Sequence, residues 1–232
     1  MNKLSIALLG TAVALARELQ ARGGSPPDRF IFEEAAGLVP IRLLREGGAV
    51  VGAELTAPQP LSVRSSVSVE DAAACVTLAP REIVTSAHPP QVISVGLPFL
   101  AVEVTSRDAL RRAKPDFPVH ERVLPRVGTD GVLVYTRASE LGHLHARVFA
   151  PLDATIEDPA TGSAVAATIA LLAQLTPEPA ADLEWRVEQG VDMGRASLIL
   201  GKTQKRAGGG VAVHIAGYVV PVMRGVLLTS AG

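Results

Sequence analysis

Residues 156–173 read Ile156-Glu157-Asp158-Pro159-Ala160-Thr161-Gly162-Ser163-Ala164-Val165-Ala166-Ala167-Thr168-Ile169-Ala170-Leu171-Leu172-Ala173. From Val165 onward the run is apolar on every side, the mark of a helix buried all round rather than laid on a surface. Such a helix needs a shell, which the rest of the chain has to supply. Its start presents two acidic side chains, a pair of hydroxyls and a glycine beside the unpaired N–H groups of a first helical turn, a setting suited to an anion or a developing negative charge. Asp158-Pro159 is also an ordinary helix opening, with a carboxylate N-cap and a proline at the first helical position. Gly162 argues for more than a cap, because glycine there costs about 1 kcal/mol against alanine and signals close backbone approach by something else. On residues alone, cap and ligand site both stand.

The chain has 232 residues, enough for one large domain or two small ones, and its 48% hydrophobic residues suffice for a core. A net charge of −1 without any lysine or arginine tract makes nucleic acid and anionic membranes unexpected partners and favours a small neutral or acidic ligand. Cys75 is the single cysteine, so no internal disulfide forms. Its setting, Ala72-Ala73-Ala74-Cys75-Val76, reads as a packed thiol in a reducing compartment, the cytoplasm. Met1 to Ala16 has the basic start, apolar run and Ala-x-Ala exit of a secretory signal, and is too short for a membrane span. The periodic pattern nevertheless runs on through Arg17-Glu18-Leu19-Gln20-Ala21-Arg22 to a Gly23-Gly24-Ser25-Pro26-Pro27 stop, which a second buried helix explains better.

Between these two helices the pattern is β-rich. Arg29–Phe32, Leu38–Leu44 and Ala49–Leu55 read as an antiparallel meander turning at Gly47-Gly48, and Thr56-Ala57-Pro58-Gln59-Pro60 breaks it. A helix follows near Val69–Leu78. Val92–Val95 and Phe99–Val104 pair around Gly96-Leu97-Pro98, followed by a short helix near Arg107–Arg112 and a strand at Val132–Tyr135. Leu144–Phe149 alternates strictly, with His143, His145 and Arg147 on one face, read as solvated; the His-x-His pair has no defined third ligand nearby, so no metal is expected. Beyond the second helix, strands are expected at Trp185–Gln189, Met193–Leu200, Val211–Ile215 and Val219–Val222. Gly208-Gly209-Gly210 lies between two of them and reads as a hairpin loop, not a phosphate cradle. Gly10-Thr11-Ala12-Val13-Ala14 and Gly162-Ser163-Ala164-Val165-Ala166 match at the heads of the two apolar helices, pointing to two similar units, each a curved sheet around one helix.

Arg147-Val148-Phe149-Ala150-Pro151, Glu157-Asp158-Pro159-Ala160-Thr161-Gly162-Ser163-Ala164, Val187-Glu188-Gln189-Gly190 and Met193-Gly194-Arg195 together resemble the phenazine-biosynthesis PhzF-like family. Val95-Gly96-Leu97-Pro98-Phe99 and Gly10-Thr11-Ala12 extend the similarity over nearly the whole chain from about residue 8. The resemblance implies the α+β diaminopimelate-epimerase fold, with two β-barrel-like halves, each around a central helix, and the active site in the cleft between them. On this sequence that gives an incomplete first half over 1–62, a complete second half over 63–220, and a segment 221–232 returning to the first. It also implies cofactor-free isomerisation of a small carboxylate by proton transfer, and commonly a homodimer. Asp158 and Ser163 fall on the family's catalytic positions, with Thr161, Gly162 and Ser163 binding substrate. An acidic group can hold an ammonium or hydroxyl or relay a proton, while a serine and helix N–H groups bind a carboxylate. Diaminopimelate epimerases proper use two cysteines as acid and base, a mechanism that one cysteine excludes.

The family's principal acid/base glutamate lies on an early strand, upstream of a Gly-His-Pro-Thr-like segment just before the first central helix. Met1 to Leu9 occupy that place here, with Ile6 or thereabouts where the histidine should fall; Glu33 and Glu34 come after the helix and do not match. The first half is therefore expected to be truncated. The helix from about Gly10 to Arg22 would then leave an apolar face uncovered, at about 25 cal/mol per Å². Instability, aggregation or a compensating dimer follows from that. Three functional expectations follow. The first is an isomerase of reduced activity, since losing a general acid/base costs about 10²- to 10⁴-fold. The second is a non-catalytic small-molecule binding or interaction protein on the same scaffold. The third is a start placed too late, with the glutamate and Gly-His segment encoded just upstream of Met1.

Overall fold

The protein is described here from a computed structural model over residues 6–34, 37–137, 143–223 and 225. Helix α1 (Ile6–Ala21) leads into a meander of β1 (Arg29–Glu34), β2 (Gly37–Glu46) and β3 (Ala49–Thr56). The middle of the chain forms β4 (Ser62–Ser66), α2 (Val69–Cys75), β5 (Ile83–Val84), β6 (Gln91–Ser94), β7 (Pro98–Val104), α3 (Arg107–Arg112), α4 (Phe117–Val127), β8 (Val132–Arg137) and β9 (His143–Ala150). After β10 (Thr155–Asp158) come α5 (Gly162–Gln174), β11 (Ala181–Gln189), β12 (Ser197–Lys205) and β13 (Val211–Tyr218). The described strands join in one sheet, ordered β1-β2-β3-β13-β12-β11-β9-β8-β7-β6-β4, with β10 added to β9 and β5 to β7. This is the mixed α+β architecture expected from the sequence.

Two joins in the sheet are parallel, β7 with β8 and β9 with β11. A parallel pair needs a crossover rather than a hairpin. Helices α3 and α4 make the first crossover, and β10 with α5 makes the second. That second crossover brings the start of α5 against the far ends of β9 and β11. The sheet curves around α5, burying every residue from Gly162 to Ala173, as its all-apolar sequence requires. Alternation along β7 and β8 serves two cores. Phe99, Ala101, Leu133 and Tyr135 turn toward α5, while Leu100, Val102, Val132 and Val134 pack under α2, α3 and α4. Strands buried on both faces read as continuous apolar runs, which these do.

Several sequence expectations need correction. The α1 segment is a helix, as preferred over a signal peptide, but it is only half-buried; residues 1–5 lie outside the described residues. Leu9, Ala12, Val13 and Ala16 form the packed stripe, whereas Leu15 is 45% and Leu19 37% exposed. Among the described residues its main cover is β2, β3 and β13, all parts of one sheet. Helix α4 was not foreseen, because Pro118 and Pro125 are helix-breaking signals; Pro118 sits in the first turn, where it is tolerated, and Pro125 in the last. Met193 to Arg195 belong to a turn, and the strand there starts at Ser197. Beyond β13 the described residues 219–223 and 225 form no strand, although Val219 N donates to Val51 O, and the rest of 221–232 lies outside the described residues. The face of β9 read as solvated is not: Arg147 is buried and both histidines are half-buried, since β11 runs alongside with Glu188 opposite His145.

Cys75 is a packed thiol, as its alanine-rich setting indicates; burial, aided by Asp71, pushes its pKa up to about 12. Its carbonyl accepts a hydrogen bond from His120 Nε2 at 2.8 Å, fixing α4 on α2, while His120 Nδ1 is buried without a partner. Burial holds the His120 pKa below its ordinary value, against the opposing pull of the Cys75 carbonyl and Asp116. The native state therefore binds fewer protons than the unfolded chain once pH falls below about 6.5, so this contribution to stability is present above that pH and lost below it. Thermal midpoints should fall between pH 7 and pH 5. His120→Gln should flatten that slope, and an unchanged slope in the variant would assign the acid sensitivity elsewhere.

Candidate active site

Asp158 closes β10, Gly162 opens α5, and the residues between are held from behind by the end of β11. Gln189, fully buried, does most of the holding. Its Oε1 accepts from Thr161 N at 3.1 Å, and its Nε2 donates to Asp158 O at 2.7 Å and Thr161 Oγ1 at 3.0 Å. Thr161 Oγ1 in turn donates to Asp158 Oδ2 at 2.8 Å, and Ala160 N donates to Asp158 Oδ1 at 3.3 Å. Asp158 thus folds its own loop and is not the helix cap that Asp158-Pro159 suggested. Thr161 occupies the cap position without a side-chain cap bond. The first turn of α5 therefore starts with N–H groups free of a side-chain partner, the orphan donors that suit an anion.

The glycine of Val187-Glu188-Gln189-Gly190 has an equally local reason. Gly190 adopts φ +76°, and a Cβ there would meet Arg195 O at 2.3 Å, Pro159 O at 2.9 Å and Pro159 Cα at 3.0 Å. The turn it begins closes by Arg195 N donating to Gly190 O at 2.9 Å, with Gly194 also left-handed. Both distant motifs are thus parts of one clamp on the Asp158–Ser163 loop. Gly190→Ala should destabilise by about 1–3 kcal/mol from overpacking alone, because all three obstructing atoms are backbone. Chemical denaturation would read this, and a variant as stable as the parent would show the clamp to be slack.

Glu157 faces the other way. Arg147 Nε donates to Glu157 Oε1 at 2.9 Å and its Nη2 to Oε2 at 2.7 Å, a bidentate pair between a buried arginine and a largely covered glutamate. The remaining Arg147 nitrogen, Nη1, donates to the carbonyls of Leu110, Arg111 and Ala113 at 3.2, 3.1 and 2.7 Å, so one side chain ties the end of α3 to β9 and β10.

In front of the loop lies a cavity of about 370 Å³, bordered by Leu97, Phe99 and Val148 on its apolar side and by Asp158, Thr161 and Ser163 on its polar side. Gly162, expected beside them, instead borders a shallow recess with Leu55, Ala57 and Pro58, which Ser163 also reaches. Two further carboxylates border the cavity, Asp130 and Asp153, which sequence reasoning missed. Asp130-Gly131 is a turn dipeptide just ahead of a strand, the signal that marks this position as a loop over a strand end. Thr129 locks it by donating to Pro98 O at 2.7 Å. Carboxylates together with a serine and helix N–H groups around one cavity suit a small molecule that carries both a carboxylate and an ammonium or hydroxyl group.

Comparison with known proteins agrees with the motifs. The family described as phenazine biosynthesis-like protein matches residues 6–225. A relative named an uncharacterized isomerase, from Mesorhizobium japonicum, is 30% identical over 226 residues, 94% of this chain and 73% of its own. The trans-2,3-dihydro-3-hydroxyanthranilate isomerase of Pseudomonas aeruginosa is 30% identical over 220 residues, 94% of this chain and 72% of its own. Among solved structures, a Bacillus anthracis phenazine biosynthesis protein of the PhzF family superposes with a TM-score of 0.74 at 23% identity, covering 91% of this chain and 73% of that one. A structure titled a predicted epimerase from Pseudomonas aeruginosa gives 0.73 at 28% identity, covering 98% and 75%. No described helix is long and apolar enough to cross a membrane.

Proposed function

Since this chain belongs to the phenazine biosynthesis-like PhzF family, whose relatives here include isomerases, we propose that it binds a small carboxylic acid at the start of α5 and moves a proton on it without a cofactor. The observation that carries this is the cavity on which Asp158, Thr161 and Ser163 converge. Ser163 and the uncapped N–H groups receive the carboxylate, whose charge the helix start favours. Asp158 holds the ligand's ammonium or hydroxyl group or relays its proton. Asp130 and Asp153 add to the same cation-favouring wall.

One observation favours a second reading, a binding protein that turns nothing over. Both carboxylate oxygens of Asp158 already accept hydrogen bonds within the loop, as in a purely structural turn. Solvent-deuterium incorporation into trans-2,3-dihydro-3-hydroxyanthranilate, run beside the Pseudomonas aeruginosa isomerase, tests both. Incorporation supports the proposal. Saturable binding with no incorporation supports the binding protein, and absence of binding removes the site.

A further inference from the structure

His143-x-His145 is the motif that the proposed chemistry leaves unused. In sequence it wants a third ligand, and the parallel register of β9 on β11 provides one by setting Glu188 opposite His145. Glu188 Oε1 lies 3.3 Å from His143 Nε2, and Glu188 Oε2 lies 3.1 Å from His145 Nδ1. One ligand atom from each of the three residues falls within 4.8 Å of the others, and the two imidazole centroids are 5.1 Å apart. We propose that His143, His145 and Glu188 form a binding site for a divalent transition metal of the zinc class.

Four physical arguments converge on it. First, two imidazoles and a carboxylate are the donor set of zinc and its neighbours, whereas magnesium and calcium demand oxygen ligands throughout. Second, the size is compatible: a tetrahedral zinc with bonds of about 2.0–2.1 Å holds its ligand atoms roughly 3.3 Å apart, close to the distance of each imidazole nitrogen from its own Glu188 oxygen. Third, His145 Nδ1 is a buried atom whose approach to Glu188 lacks hydrogen-bond alignment. An imidazole that merely paired with the carboxylate would aim its N–H at the oxygen. Fourth, all three groups stand on two adjacent strands, His143 and His145 on one face of β9, so no loop has to close to assemble the site.

Charge in the surroundings is balanced for a cation. Arg147, the next residue on that face, is neutralised by Glu157, and Arg186, opposite His143 in register, is solvent-exposed. The three ligand residues are themselves only partly covered, so water can complete the coordination sphere. Bound metal would staple β9 to β11 one residue before Gln189, the residue that grips the Asp158–Thr161 loop.

The test is titration of the metal-free full chain with Zn²⁺ by calorimetry, with Cu²⁺ as the paramagnetic probe. One equivalent bound with a micromolar or tighter Kd is expected, weakened at least about tenfold in His145→Ala and in Glu188→Gln. His214→Gln, on β13 beside Thr56, should bind as the parent does. Nitrogen coupling from two imidazoles is expected in the Cu²⁺ spectrum. Should a variant fail to fold, that spectrum of the parent chain decides alone: two nitrogens support the site. Coordination by oxygen only, affinity unchanged in both ligand variants, or no binding at all overturns it.

Discussion

Arg147→Met is expected to destabilise the fold by about 3–5 kcal/mol, more than any other single change considered. The reason is what it leaves behind. Glu157 would keep a carboxylate in a largely covered position without its bidentate partner, and the carbonyls of Leu110, Arg111 and Ala113 at the end of α3 would lose their shared donor. An isolated buried charge is costly, whereas a neutral pair of similar volume is not. The double variant Arg147→Met with Glu157→Gln should therefore recover part of the loss. In a domain of this size each kcal/mol moves the melting temperature by about 2–4 °C, so the single variant should melt on the order of 10 °C lower. A single variant within a degree or two of the parent, or a double variant worse than the sum of both singles, would show the pair to be a surface-like contact.

Asp158→Asn carries the largest expected functional effect. Asparagine keeps an oxygen for Ala160 N, and its amide can donate to Thr161 Oγ1 where the aspartate accepted. The loop should therefore hold its shape, and the melting temperature should stay close to that of the parent. What disappears is a group able to take a proton or neutralise a cation. Any exchange the chain supports should drop by about 10²- to 10⁴-fold, with ligand carboxylate binding at Ser163 retained. Equal exchange rates in Asp158→Asn and the parent would make Asp158 a loop residue only.

The shell around α5 was legible because an all-apolar helix tolerates no other placement, and the place proposed for the site was legible because the Glu157–Ser163 and Glu188–Gly190 motifs are both local. Less visible was what each residue does within them. Asp158-Pro159 reads as a cap by every local rule, and only the antiparallel addition of β10 to β9 shows that the aspartate ends a strand. Asp130 and Asp153 reach the cavity through tertiary packing of a helix whose prolines disguise it. The third member of the His143 and His145 cluster sits 43 residues after His145 in sequence, and it arrives only through a parallel register, a pairing that no short-range pattern encodes.

The pairing of β3 with β13 bears on how this chain comes into being. Thr56 lies opposite His214, a separation of 158 residues. At a synthesis rate of about 5–20 residues per second, the ribosome needs roughly 8–30 s to make that intervening stretch. Throughout that interval β3 is an unpaired sheet edge with its apolar residues beside it, the feature most prone to wrong pairing with a neighbouring nascent chain. Slow translation or scarce chaperone should therefore lower the soluble yield of this protein before any property of its finished fold comes into play.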